Sequence, residues 1–294
     1  MAVKNTARSE AKENANQARK PFLVSWLRRG SREPWILLAL PLLLFIIFPL
    51  LALFLRTSLS DFFATLNQSQ VIQAISLSLF TSLSATAVTL IVGTPVAYLL
   101  AQPRFRFHHV VDTIVDLPTV LPPAVAGVAL LMAFGRKGLL GPALATVGIN
   151  LPFTVSAVIL AQTFVAAPYY VKAAAIGFAG IDIELKSAAA LDGAGRWQIF
   201  RHVTLPLSWM ALVSGGVMTW ARALGEFGAT ILFAGNFQGV TQTMPLAIYV
   251  GFETNLNVAL TLSIILVCFS FLILVVVKQI LHHRLEAGLE YTAG

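Results

Sequence analysis

Apolar residues in this chain run together in long blocks rather than alternating with polar ones. Largely apolar stretches of roughly 20 residues or more fall at 35–55, 71–100, 110–134, 152–176, 207–234 and 258–280. A helix needs about 20 such residues to cross the ~30 Å hydrocarbon core of a bilayer. Within lipid, only helices and closed barrels satisfy every backbone polar group. The pattern therefore predicts an all-α, polytopic membrane protein with six transmembrane helices. Between the blocks lie polar segments, the most charged of them ELKSAAALDGAGRWQIFRHVTLP at 184–206.

Composition strengthens this picture. Of 294 residues, 57% are hydrophobic and only 11% charged, with a mean hydropathy of +0.80, far outside the range of a soluble domain. The net charge of +7 reflects the surplus of Lys and Arg that membrane proteins keep in cytoplasmic segments, so it does not imply nucleic acid. With the N-terminus inside, the inner segments hold Lys4, Arg8, Lys12, Arg19, Lys20, Arg28, Arg29, Arg32, Arg104, Arg106, Lys186, Arg196, Arg201, Lys278 and Arg284. The outer loops hold only Arg56, Arg136 and Lys137. This asymmetry predicts both termini in the cytoplasm. The expected organisation is a basic extension at 1–34, a first span at 35–56, a permease-like block at 70–281 and a cytoplasmic tail at 282–294. The first ~20 residues read as disordered, and 22–27 as a short amphipathic helix at the membrane surface. The single cysteine, Cys268, lies in an apolar run and excludes an internal disulfide or a thiol metal site.

The charged stretch at 184–206 has its own logic. Its Ala-rich first half, 184–191, favours helix. Asp192 and Gly193 break that helix, because glycine frees the backbone. A second short helix is expected over 196–203, ending before Pro206. Two short helices joined by a glycine corner make a rigid cytoplasmic knob, suited to a groove on another protein; a solvated connecting loop is the plainer alternative.

Polar residues inside the apolar blocks are the other candidates. The second block carries Ser76, Ser78, Thr81, Ser82, Ser84, Thr86 and Thr89; they either allow close helix packing or line a polar path. In the third, Asp112 and Asp116 share a helix face and precede Pro118, Pro122 and Pro123. The carboxylates fit a proton or cation relay, or caps and ion pairs with basic loop residues. The prolines predict a broken helix lining the central path. Lys172 is expected to snorkel at the inner end of the fourth span. In the fifth, Arg222 and Glu226 are spaced to pair, as a functional charge pair or as a structural one. Gly225 and Gly228 are expected to allow close helix approach. A short helix at 244–252 is expected to lie on the outer surface. His108 and His109 are adjacent, point about 100° apart on a helix, and do not make a metal pair.

The chain has no GxxxxGK[ST], HExxH or GxSxG sequence. An enzyme is not indicated, and any ATP-driven step needs a separate subunit. Nothing in the chain points to a bound cofactor or metal. No internal repeat is evident, which argues against a carrier built from inverted repeats.

The stretch at 184–206 resembles the EAA loop of ABC-importer permeases: EAA, three residues, Gly, nine residues, Ile, one residue, Leu-Pro. Ser187, Ala188 and Ala189 stand for EAA and Gly193 for the glycine, with Asp192 before it. Val203 stands for the isoleucine, and Leu205 and Pro206 close the pattern. Ser187 and Val203 depart from it. DLPTVLPPAVAGVALLMAFGRKGLLG at 116–141 and ARALGEFGATILFAGNFQGVTQTMPLAIY at 221–249 are similar to the oxyanion branch of type I importer permeases, that for molybdate, with sulfate and tungstate close by. The resemblance covers roughly 70–280. It implies a type I permease fold and a path formed with a second permease subunit, usually an identical copy in molybdate systems. It further implies two cytoplasmic ATPase subunits that hydrolyse ATP, an extracytoplasmic oxyanion-binding protein, and a place in the cytoplasmic membrane among its lipids. The 184–206 loop would transmit ATPase motion. Arg222, Glu226, Pro122 and Ser82 are candidate path residues. A reading from a different class is a standalone anion channel or a proton-coupled carrier using Asp112, Asp116, Arg222 and Glu226.

Overall fold

The computed structural model describes residues 34–102 and 105–292, with side chains over 38–102 and 105–279. The basic extension, the helix expected at 22–27 and Arg104 lie outside the described residues. Every regular element among the described residues is helical: α1 (Pro34–Arg56), α2 (Leu59–Leu66), α3 (Ser69–Leu100), α4 (His108–Val120), α5 (Pro123–Phe134), α6 (Gly141–Thr146), α7 (Val155–Ala179), α8 (Ile183–Leu191), α9 (Arg196–Leu207), α10 (Trp209–Leu224), α11 (Gly228–Phe233), α12 (Met244–Thr254) and α13 (Leu256–Thr292). α1 belongs to one unit, and Thr57–Gly294 forms another.

Four helices are long and apolar enough to cross a membrane: Leu38–Arg56 within α1, α3, α7, and Leu256–Gln279 within α13. Two bent pairs, α4 with α5 and α9 with α10, bring the number to six if each is one span. The six apolar blocks thus hold helices throughout, but two of them are not single rods.

The third block turns by 116° between α4 and α5, far more than the broken rod expected. Leu121 takes the extended conformation (ψ 134°) and so does Pro122 (ψ 135°). A residue before proline is pushed out of the helical region, and two consecutive prolines remove two backbone donors. Pro123 then opens α5, where a missing N–H costs nothing.

The fifth block also differs from expectation. Its helix does not start at 207, and α9 does not end before Pro206. Phe200–Thr204 forms a wide π turn, the helix continues to Leu207, and α10 leaves at 70°. Pro206 explains the widening, since its ring crowds the carbonyl four residues earlier. α10 stops at Leu224, and α11 begins only at Gly228.

α7 joins the packed layers of the second unit. Its N-terminal half buries Ala157, Val158, Ala161 and Val165 against α5 and α11. Its C-terminal half buries Tyr170, Val171, Ala174 and Phe178 against α3 and Leu212 of α10. A third cluster joins the start of α3 to Leu224, α12 and α13. Burial of such side chains stabilises each layer by ~25 cal/mol per Å² of apolar surface removed from water, and by close packing where the surroundings are lipid. α12 is at the expected position but does not merely lie on a surface: Met244, Leu246 and Ala247 are fully buried, and the Met244 N–H donates to Ser78 Oγ at 2.6 Å. α13 runs on to Thr292, through the segment expected as a tail.

Most hydroxyls of α3 serve the fold. Thr81, Thr86, Thr89 and Thr94 donate to carbonyls three or four residues back. Ser82 is fully buried; it donates to Leu79 O at 3.3 Å and accepts the indole N–H of Trp220 at 3.0 Å.

Candidate functional site

Two regions hold the residues singled out from sequence. The first is the surface loop made by α8, the glycine corner and α9. Asp182 caps α8 by accepting the Glu184 N–H at 3.0 Å. At the other end the Gly193 N–H donates to Ala190 O at 3.1 Å and the Ala194 N–H to Ala189 O at 3.0 Å. That pair of bonds is a Schellman closure, which requires a left-handed residue. Gly193 supplies it with φ +88°, and space around it is open. Gln198 Oε1 then accepts the Gly195 N–H at 2.7 Å and starts α9. Between the limbs lies a groove lined by Ala189, Gly193, Ala194, Ile199 and Val203. Ser187 is exposed and turns its hydroxyl back onto Ile183 O at 2.8 Å. Ala188, Asp192 and Pro206 are exposed, while Leu205 packs partly buried against the cluster of α3 and α7.

The loop is fastened to the membrane helices by aromatic rings. Phe200 meets Tyr98 of α3 edge-on at 4.9 Å and Phe178 of α7 at 6.0 Å, and Tyr98 meets Phe178 at 5.8 Å. Trp197 stacks on Phe200 at 5.4 Å while remaining 68% exposed. The Lys186 ammonium donates to Phe178 O at 3.2 Å, holding the end of α7. Such ring pairs contribute roughly 0.5–1.5 kcal/mol each beyond area, which helps hold the loop against α3 and α7. Phe200, Phe178 and Tyr98 were not singled out in the sequence, where aromatic residues in apolar blocks carry no distinguishing signal.

The second region is where α10 stops. Arg222 Nη1 pairs with Glu226 Oε2 at 2.8 Å, as the spacing suggested, but not along one continuous helix face. Glu226 sits in the break and its other oxygen, Oε1, accepts the Ala229 N–H at 2.8 Å, capping α11. The Glu226 side chain is 2% exposed and that of Arg222 30%, so the carboxylate is locked inside and the guanidinium opens outward. Gly228 makes the arrangement possible: a Cβ there would lie 2.4 Å from Pro123 Cβ. Gly225 makes no such close approach; its nearest neighbour would be Ala221 O at 3.8 Å.

Arg222 faces a cavity of about 170 Å³ at the proline corner, with Pro118, Thr119, Leu121, Pro123 and Tyr169 among its lining. Pro122 stands between two lining residues and sets the turn. Ser82 lies elsewhere. Its partner Trp220 precedes Arg222 by two positions, about 200° away around α10, and lines a different, apolar groove. Tyr169 and Thr119 were missed in the sequence, because nothing in their spacing links α7 or α4 to Arg222.

Asp112 and Asp116 are both paired with Lys172, at 2.6 and 2.8 Å. Lys172 therefore bridges α4 and α7 rather than snorkelling. The i,i+4 spacing of the two carboxylates was the available signal for a shared cation. Fully buried Gln162 on α7 is another polar residue missed; neither amide atom meets a partner among the described residues.

Residues 93–288 match the family described as binding-protein-dependent transport system inner membrane component. The chain is 42% identical over 242 residues to the molybdenum transport system permease protein ModB of Mycobacterium bovis, covering 81% of this chain and 91% of that one. It is 39% identical over 246 residues to the probable transport system permease protein NifC of Clostridium pasteurianum, covering 83% and 86%. A solved chain from a bacterial ABC transporter that imports alginate superposes with a TM-score of 0.62 at 20% identity, covering 87% of this chain and 97% of that one. The fold is thus that of an ABC-importer permease, and such a subunit is not the enzyme of its system. By the extent of the family match and the identity to its relatives, this chain belongs to the inner membrane components of binding-protein-dependent transport systems.

Proposed function

We propose that this chain is the translocating subunit of an ATP-driven molybdate importer in the cytoplasmic membrane, with both termini inside. A second copy of the chain completes the path, two cytoplasmic ATPase subunits drive it, and an extracytoplasmic binding protein delivers the anion. ATP is bound and hydrolysed by the partner ATPase. Identity of about 40% to named molybdenum permeases over most of the chain is the observation that carries this reading.

The α8–α9 loop is the coupling element. ATPase closure pushes the exposed limb around Ala189, Gly193 and Val203. The Tyr98, Phe178 and Phe200 rings pass the displacement to α3 and α7, and the corner at Ser208 passes it to α10. Pairing of Asp112 and Asp116 with Lys172 removes the free carboxylates that a proton-coupled carrier would use. The test is uptake of labelled molybdate by vesicles holding the chain, its ATPase and its binding protein. ATP-dependent uptake that tungstate competes for strongly and sulfate feebly is expected. Uptake of sulfate in preference to molybdate assigns a different oxyanion, and ATP-independent flux through the chain alone overturns the importer.

A further inference from the structure

The cavity at the proline corner lies well along its helices from their loop ends. Tyr169 is 10 residues before the end of α7, and Arg222 is 13 residues after the start of α10; at 1.5 Å per residue these are about 15 and 20 Å from the loop end of their helices. A bilayer core is ~30 Å thick, so a site about 15–20 Å in from helix ends at the membrane surface would fall near its middle. In α3, α4, α5, α7 and α10 the only Lys or Arg residues are Lys172 and Arg222. Lys172 is held by two carboxylates. Arg222 is held through Nη1 alone; among the described residues no acceptor meets the rest of its fork. Tyr169 also has no hydrogen-bond partner for its hydroxyl among the described residues. The volume, about 170 Å³, exceeds by about tenfold the ~15 Å³ that admits one water.

We propose that this cavity is a transit site for a tetrahedral dianion, held by the free edge of the Arg222 guanidinium and the Tyr169 hydroxyl. The inference rests on the molybdate reading above and deepens it. A planar fork of N–H donors matches two oxygens of such an anion. Glu226 fixes the fork from the protein side and cancels its net charge. The site is therefore preorganised but weak, as a path requires if the anion is to leave again. Glu226 is a positioning residue: it orients Arg222 and caps α11, and it does not face the cavity.

The test uses the full chain with its ATPase and its binding protein in vesicles, carrying Cys268→Ser and a reporter Thr119→Cys in the cavity wall. Labelling by a small water-soluble thiol reagent is followed with and without sodium molybdate. At about ten times its dissociation constant the anion leaves about a tenth of the sites free, so labelling slows roughly tenfold. The neutral pair Arg222→Gln with Glu226→Gln keeps a paired break and loses this protection, read as the ratio of its own labelling rates with and without molybdate. Tyr169→Phe weakens protection and leaves a dianion of the same shape, tungstate, equally weakened. Parent vesicles that accumulate molybdate normally yet show no slowing at any concentration overturn the cavity and leave the importer standing. Parent vesicles that neither accumulate molybdate nor show slowing overturn both.

Discussion

The α8–α9 loop and the proline-corner cavity are built on opposite plans. The loop is 23 consecutive residues, 184–206, whose geometry is fixed locally by a cap at Asp182, a left-handed Gly193 and a π turn before Pro206. The cavity takes one or two side chains from each of α4, α5, α7 and α10, spread from Pro118 to Arg222 along the chain. In the coupling role proposed for it, the loop gains from being self-contained, because a local shape does not depend on how the helices beneath it are arranged. In the transit role proposed for it, the cavity gains from being assembled from separate elements, which can shift relative to one another.

Substitutions break the two plans differently. The largest effect is expected at Glu226→Ala, which removes an α11 cap and leaves Arg222 unpaired beside the break; losing one partner of a buried pair costs about 3 kcal/mol or more. Unfolding in detergent reads this, with most of the loss recovered in the Arg222→Gln, Glu226→Gln pair. Stability equal to the parent's in Glu226→Ala means the pair does not hold the break together. Next is Gly193→Val. A β-branched residue at φ +88° costs about 1–2 kcal/mol, confined to the loop. The protein is expected to reach the membrane at normal abundance while transport falls roughly tenfold or more; normal transport removes the coupling role. The smallest is Ser82→Ala, which takes the acceptor from the Trp220 indole and costs ~1 kcal/mol. Molybdate uptake is expected to change less than twofold, since Ser82 lies away from the cavity; a large uptake defect with unchanged stability returns it to the path.

The same contrast decides what could be read from the sequence. Apolar blocks gave the helices, and a fixed spacing gave the loop, because both are local along the chain. Pro122 and Pro123 marked a break, but nothing local says that α4 and α5 diverge by 116°; α5 folds back because it packs on α7 and α11 through Ala126 and Gly228. The pairing of Arg222 with Glu226 was legible from spacing. That Glu226 also caps α11 was not, since the break after Leu224 depends on tertiary packing. Lys172 was visible near a helix end, yet its partners sit 60 and 56 positions earlier, a separation that periodicity does not connect. Tyr169 and Thr119 line one cavity with Arg222 only because α4, α7 and α10 converge.

The central claim is that the α8–α9 loop receives force from an ATPase. The most direct measurement is crosslinking in intact cells from Ala189→Cys or Ala194→Cys, on either side of the groove beside Gly193, in a Cys268→Ser background that still transports. Capture of a subunit whose sequence carries the phosphate-binding loop of an ATPase, in a yield that changes when ATP is depleted, is the expected result. Transport that continues while neither position captures such a subunit contradicts it.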